Sequence, residues 1–335
     1  MAFVPKNIKY TPEVEIIEMK ISAFQSVMRL DKYLVKELPN YMTRNQIQIM
    51  LKNGKICVNG KKVKASYPIQ PHDFIRVESE KPYDPPLYGE NIPLDILYED
   101  DYLMVINKQA GLVVHPGAGT ASNTLVNGLI YHSEFLSNEN GPLRPGIVHR
   151  LDKDTTGVII TVKDNTVHNG ISQQFEKRTL DKHYLALVWG TLKENSGTIN
   201  QPIGRSSKDR AKFAVTADGK ASVTHYEVVE EFRFLTLLKI KLETGRTHQI
   251  RVHMSHINHP VFGDPHYNGR NQKMITLNLK DRRIASQLLE LTESQVLHAQ
   301  DIEFVHPMTK EKLKITAPLH EEFKEILRIL RSDAE

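Results

Sequence analysis

The chain has 335 residues, 40% hydrophobic and 25% charged, an ordinary globular composition at a length that suits about two domains. Its net charge of +4 is mildly basic, so total charge alone is a modest argument for nucleic acid. No apolar run approaches the roughly 18 residues of a spanning helix, Met1 to Tyr10 lacks the apolar core of a secretory signal, and the lone Cys57 allows no internal disulfide. A folded, cytoplasmic chain acting as a monomer without a membrane partner is the expectation.

Residues 1–27 read as an N-terminal extension, in which Val14 to Ile21 has strand composition and no assigned role. From Met28 the pattern sharpens: Leu30, Tyr33, Leu34 and Leu38 fall at helical spacing up to Pro39. A second helix opens at the N-cap candidate Thr43, carries Ile47, Met50 and Leu51 on one face, and stops at Gly54. Ile56 to Val58 and Lys61 to Val63 flank Asn59-Gly60, a type I′ hairpin signal, and Asp73 to Val77 supplies a further strand. Two short helices, this hairpin and cations including Arg29, Arg44, Lys52 and Lys62 make residues 28–80 resemble an S4 RNA-binding domain. Arg44 and Lys52, on the second helix, are the cations favoured for phosphate contact, which positions RNA without reading its bases. The plain alternative is a solvated basic face.

Residues 81–93 are proline-rich, the composition of a linker, and residues 94–335 form the larger domain. Leu94 to Tyr98, Tyr102 to Asn107 and Gly111 to Val114 read as strands, as do Gly146 to Val148 and Gly157 to Val162. Between the last two lies His149-Arg150-Leu151-Asp152-Lys153-Asp154-Thr155-Thr156. If that segment is extended, Arg150, Asp152 and Asp154 share a face, a carboxylate beside a guanidinium. Val167, Ile171 and Phe175 define a helix ending in Lys177 and Arg178, and Lys182 to Gly190 is a strand with Tyr184, Ala186 and Val188 on one face. Phe213 to Thr216 and Ser222 to Val228 flank Asp218-Gly219 as an expected hairpin, approached by the basic stretch Arg205, Lys208, Arg210 and Lys212. Phe234 to Leu242 is another strand, and Thr247 to Ile257 a helix with Ile250, Met254 and Ile257 buried and His248, Arg251 and Ser255 on an adjoining face. Strands at Asp301 to His306 and Leu313 to Thr316 precede a terminal amphipathic helix bearing Phe323, Ile326, Leu327 and Leu330. Many antiparallel strands with few helices argue for an α+β fold.

Three separated motifs carry a resemblance over nearly the whole chain. They are Lys108 to Gly117 with Val113-Val114-His115-Pro116, His149-Arg150-Leu151-Asp152 with Thr155-Thr156-Gly157, and Gly245-Arg246-Thr247-His248-Gln249-Ile250-Arg251. In that order they are similar to the signature of the RluA-type pseudouridine synthases, above all the branch that modifies large-subunit (23S) ribosomal RNA. The resemblance implies a mixed, mainly antiparallel central sheet crossed by a catalytic cleft and flanked by helices. It further implies that Asp152 is the catalytic carboxylate, Arg251 its ion-pair partner, and Tyr184 the residue that stacks on uracil and assists proton removal from C5. Arg150, His149, Arg246 and His248 are the expected substrate contacts in these motifs, with Arg205, Lys208 and Arg210 on the basic approach.

The isomerisation is redox-neutral and calls for no metal or organic cofactor; its partner is RNA, extruded from its stack. His253, His256 and His259 recur at intervals of three, but catalytic zinc favours i, i+4 histidines with an acidic partner, so no metal is expected. The same chemistry on transfer RNA is the alternative substrate, and a non-catalytic ribosome-assembly role would need only the basic module. A carboxylate-pair glycosidase ranks last, because Asp152 and Asp154 lie too close in sequence to flank a bond.

Overall fold

The computed structural model describes residues 14–23, 25–38, 44–80, 87–117, 120–141 and 144–334. The chain divides into two compact units, Met1–Pro85 and Pro86–Glu335. In the first, β1 (Val14–Lys20), α1 (Leu30–Glu37), α2 (Arg44–Asn53), β2 (Ile56–Val58), β3 (Lys61–Lys62) and β4 (Phe74–Glu80) build an antiparallel sheet, order β1-β4-β2-β3, with two helices. The helical stripe Leu30, Leu34, Ile47 and Leu51 buries against Ile56, Val58, Ile75 and Val77 of the strands. Asn59 and Gly60 both take left-handed backbone, φ 51° and 74°, as a type I′ turn requires. Residues 14–20, expected ahead of this module, are the edge strand of its sheet. Their alternation explains why: Ile17 and Met19 pack on the module's core while Ile16 is exposed. Thr43, the expected N-cap, lies outside the described residues.

Asp31 joins the starts of the two helices. Its buried carboxylate accepts from Arg29 Nε and Nη2 at 2.9 and 3.0 Å and from Arg44 Nη2 at 3.1 Å. Those hydrogen bonds, Arg29 foremost, hold its carboxyl down at about 2.

The second unit contains β5 (Ile96–Glu99), β6 (Leu103–Lys108), α3 (Leu125–His132), β7 (Thr156–Val162), α4 (Asn165–Lys177), β8 (Asp181–Trp189), β9 (Ser196–Asn200), β10 (Ile203–Arg205), β11 (Phe213–Val215) and β12 (Val223–Glu231). It continues with β13 (Leu235–Leu242), α5 (Gln249–His256), α6 (Leu279–Glu290), β14 (Leu297–Val305), β15 (Lys312–Thr316) and α7 (Glu321–Ala334). One mixed, mostly antiparallel sheet runs β5-β6-β7-β14-β8-β13-β12-β9, with β15 on β14. Among the described strands only β7 and β14 pair in parallel, Thr156 with His298 and Gly157 with Ala299. Gly157 sits at φ 103°, and a Cβ there would overlap the Ala299 carbonyl, so this contact needs glycine.

The two faces of the sheet follow its period of two. Tyr184, Ala186 and Val188 of β8, Met104 and Ile106 of β6, and Leu238 and Ile240 of β13 enter a core completed by α3 and α5. Leu187, Trp189, Leu235 and Leu237 bury oppositely against α6 and α7, and Leu103, Val105, Val158 and Ile160 against α4. Two expected strands and one expected hairpin give way here. Gly111 to Val114 and Gly146 to Val148 are loops whose strand-like pairing is confined to the isolated bridges of Val113 and Ile147, their apolar side chains fitting a core and not a ladder. β11 pairs with β10 and leaves β12 to β9 and β13, so the Asp218-Gly219 turn closes no hairpin between them. Leu87 to Pro93 is packed structure: Asn127 Nδ2 donates to the Tyr88 carbonyl at 2.9 Å, Glu90 N–H donates to the Asn127 carbonyl at 2.9 Å, and Leu87 and Ile92 lie on the core.

Asp31→Asn tests the joint between α1 and α2. Because the folded-state pKa is depressed, the stabilisation it reports is present above the unfolded value of about 4 and is lost as pH falls through about 2. The variant's urea midpoint for the first unit should therefore lie below wild type at pH 7, and the gap should close between pH 4 and pH 2.

Candidate active site

The loop from Val148 to Thr155 is fixed before it reaches β7. The Lys108 ammonium, fully buried at the end of β6, donates to the carbonyls of Gln109, Leu112 and Lys153 at 2.8, 3.0 and 2.7 Å. Burial brings its pKa down to about 7, against the charges of Asp154 and Asp152. On the other side, the Ile160 N–H donates to His149 Nε2 at 2.8 Å, and the His149 ring packs on Phe175 with centroids 4.7 Å apart. Burial lowers that imidazole to about 3, so it is a neutral acceptor. Leu151 plugs into the core between them. The segment between the two apolar runs is a turn, closed by Thr155 N–H on the Asp152 carbonyl at 3.1 Å, and the condition of an extended backbone is not met. Arg150, Asp152 and Asp154 therefore do not line up on one face.

The partner of Asp152 comes from α5. Arg251 Nη1 donates to Asp152 Oδ2 at 3.1 Å, while Nε and Nη2 grip Asp264 at 2.7 and 2.9 Å. Arg251 is almost fully buried and its guanidinium lies 5.0 Å from the Tyr267 ring centroid. Burial alone would lower its pKa; hydrogen bonding and charge from Asp264, then Asp152, outweigh this and raise it. Asp264 is itself fixed by the N–H groups of His266 and Tyr267, at 2.8 and 3.2 Å. The start of α5 is set by Gln249, whose Oε1 accepts from Thr244 Oγ1 and Arg246 N–H and whose Nε2 donates to the Val223 carbonyl. His248, just before the helix, takes left-handed backbone at φ 56°, a conformation non-glycine residues adopt at a cost. Its Nδ1 contacts the Tyr267 hydroxyl at 2.8 Å and its Nε2 stands 3.9 Å from Asp152 Oδ1. Burial lowers the His248 pKa. Tyr184, buried on β8, faces the same space, and burial together with the Asp152 charge pushes its phenol up, leaving a neutral hydroxyl near pH 7.

Asp152, Tyr184 and Arg251 thus meet in one cleft of about 790 Å³, whose lining also includes His149, Arg150, Arg246 and His248. Arg150 and Arg246 are exposed at this cleft, and Arg246 Nε donates to the Ala221 carbonyl at 3.3 Å. Arg205, Lys208 and Arg210 are not in the lining. They belong to the β10–β11 hairpin, where Arg205 covers Phe213 at 4.4 Å and donates to the Arg210 carbonyl, and Phe213 meets His248 edge-on. Arg44 and Lys52 are in the first unit, Arg44 shared with Asp31 and Lys52 exposed in the last turn of α2. His253 and His259 are engaged by the fold, His253 with Thr224 Oγ1 and the Gln201 carbonyl, His259 with the Trp189 carbonyl. Asp264, Tyr267 and Lys182 are cleft or support residues that the sequence reading passed over. Gly263-Asp264-Pro265 has only the signal of a loop acid beside a proline.

A carboxylate tied to a buried guanidinium, beside a neutral tyrosine and under a cationic rim, suits acid–base or nucleophilic work on a group drawn from an anionic polymer. Comparison with known proteins agrees. Residues 102–256 match the RNA pseudouridylate synthase family model, and residues 28–75 match the S4 domain model. RNA pseudouridine synthase YlyB of Bacillus subtilis is 43% identical over 317 residues, 95% of this chain and 99% of that one. Ribosomal large subunit pseudouridine synthase D of Pseudomonas aeruginosa is 40% identical over 311 residues, 92% of this chain and 93% of its own. The structure of human RNA pseudouridylate synthase domain containing 4 superposes with a TM-score of 0.55 at 26% identity, over 71% of this chain and 93% of that one.

Removing Asp264 leaves the buried Arg251 with one carboxylate. Asp264→Ala should lower stability of the second unit by about 3 kcal/mol or more in urea unfolding. A loss under about 1 kcal/mol, the scale of an exposed pair, would show the interaction to be dispensable.

Proposed function

This chain belongs to the RNA pseudouridylate synthase family, and we propose that its substrate is large-subunit ribosomal RNA, presented as 23S RNA or a pre-ribosomal particle in the cytoplasm. It is an isomerase: in the target nucleotide the N1–C1′ bond breaks, a C5–C1′ bond forms, C5 loses a proton and N1 gains one. The observation that carries the site reading is the Asp152–Arg251 pair beneath Tyr184. A uridine drawn out of its stack fits this cleft with its base on the Tyr184 ring and its glycosidic bond at Asp152. Arg251 fixes the orientation of that carboxylate and balances its charge before and after the bond is broken. In this scheme the neutral Tyr184 hydroxyl relays the C5 proton, giving up its own as it accepts.

Arg150, at the tip of the loop, holds the backbone or fills the gap the uridine leaves. Arg246 and His248 contact the strand at the cleft's edge, His149 serves it indirectly by holding the loop, and Arg205, Lys208 and Arg210 extend the basic surface along the RNA. Arg44 and Lys52 add phosphate contacts in the first unit. The ribosomal target is favoured by the large-subunit synthases of similar length and by the S4 match, since a second basic unit adds affinity only where the RNA extends well beyond one nucleotide.

Asp152→Asn should fold and bind RNA as wild type does and form no pseudouridine, measured by direct mapping of modified positions; turnover near wild type would refute the assignment. A chain beginning at Pro86, which keeps the Tyr88 and Glu90 contacts, should retain turnover on a short RNA. On ribosomal RNA it should lose affinity and part of the salt dependence. Pseudouridines lost from transfer RNA alone in cells lacking the gene would transfer the proposal to that substrate.

A further inference from the structure

The second unit holds two lysines from which burial withdraws water, and they are treated differently. Lys108 is answered by three carbonyls, as described above. Lys182, on β8 two residues before Tyr184 and on the same face, lines the cleft, and its ammonium has no ion pair or hydrogen bond to any described residue. Its Nζ lies 5.5 Å from the centroid of the Phe175 ring. The acids around it are engaged or turned away: Asp152 with Arg251, Asp181 with Lys241 at 2.7 Å, Glu243 with His225 at 2.7 Å, and Glu176 exposed. Burial lowers its pKa. A Cβ added at Gly245 would stand 3.9 Å from Nζ with no other atom within 4 Å, so the glycine leaves an open approach to the ammonium.

We propose that Lys182 binds a backbone phosphate of the RNA, on the nucleotide drawn into the cleft or on its immediate neighbour. A partly desolvated cation lacking an anion is a cost in the free protein that a bound anion removes. Phosphodiesters are the only anions an RNA strand offers; the uracil carbonyls are neutral. Placed one strand repeat from Tyr184, the ammonium holds the backbone while the tyrosine meets the base, so the two residues fix opposite ends of one nucleotide. Lys182 is a binding residue in this scheme, acting beside the reaction and not in it.

The test uses the full chain and an RNA hairpin bearing a uridine that goes unmodified in cells lacking the gene, whichever RNA that proves to be; it rests on the pseudouridine synthase reading and not on the ribosomal target. Lys182→Met should raise KM about tenfold, the loss of one charge-assisted contact. It should also reduce the slope of log affinity against log salt by about one, and Lys182→Arg should restore most of both. Single methylphosphonates placed in turn along the phosphates flanking the uridine should include one at which wild type falls to the level of Lys182→Met while the variant is indifferent. An unchanged salt slope, or equal losses in wild type and variant at every methylphosphonate, would overturn the proposal. If Lys182→Met folds poorly, Gly245→Leu carries the same measurements, because it covers the ammonium without altering it; an unaltered slope in that variant would be equally fatal.

Discussion

One guanidinium, that of Arg251, organises the second unit's chemistry. It directs two hydrogen bonds to Asp264 and one to Asp152, so a single positive charge is divided between two carboxylates of different standing. Asp264 has no exposed side-chain surface and is pinned by backbone N–H groups; Asp152 keeps part of its carboxylate open to the cleft. Arg251 is in the first turn of α5, where the helix dipole disfavours a cation. Its place is therefore set by the carboxylates, and the left-handed His248 that starts the helix brings it within their reach. A lysine in its place would offer a point charge in place of the planar fork that both acids grip at once.

How much of this was legible in the sequence depended on range. Alternation in Lys182 to Trp189 and the stripes of α2, α4 and α7 are local facts of period two or 3.6, and the elements formed where those periods said. Gly111 to Val114 and Gly146 to Val148 have the composition of strands, yet composition says nothing about whether a partner edge is free. β6 already pairs with β5 and β7, and the two segments were left to fill the core with side chains. α3 and α6 escaped notice because each begins at a polar cap, Thr124 and Asn278, inside stretches without a clean stripe. In the site, Asp152, Tyr184 and Arg251 were named through motifs. Asp264 and Lys182 were not, since a buried acid and an unpaired lysine differ from surface ones only in what surrounds them.

The position of β14 has a consequence for how the chain is made. It is among the last strands in sequence and lies in the interior of the sheet: one edge pairs with β8, the other with β7 at its beginning and β15 at its end. During synthesis, everything through β13 therefore emerges with the facing edges of β7 and β8 unpaired, the kind of open edge that invites pairing with other chains. The strand bearing Tyr184 and the loop bearing Asp152 lie on opposite sides of that gap. They are brought into register only when residues 297–305 insert, a closure of long-range contacts that slows folding. A cleft assembled across such a seam, with Asp152 on one side and Tyr184 on the other, stays incomplete in a nascent chain that still lacks β14.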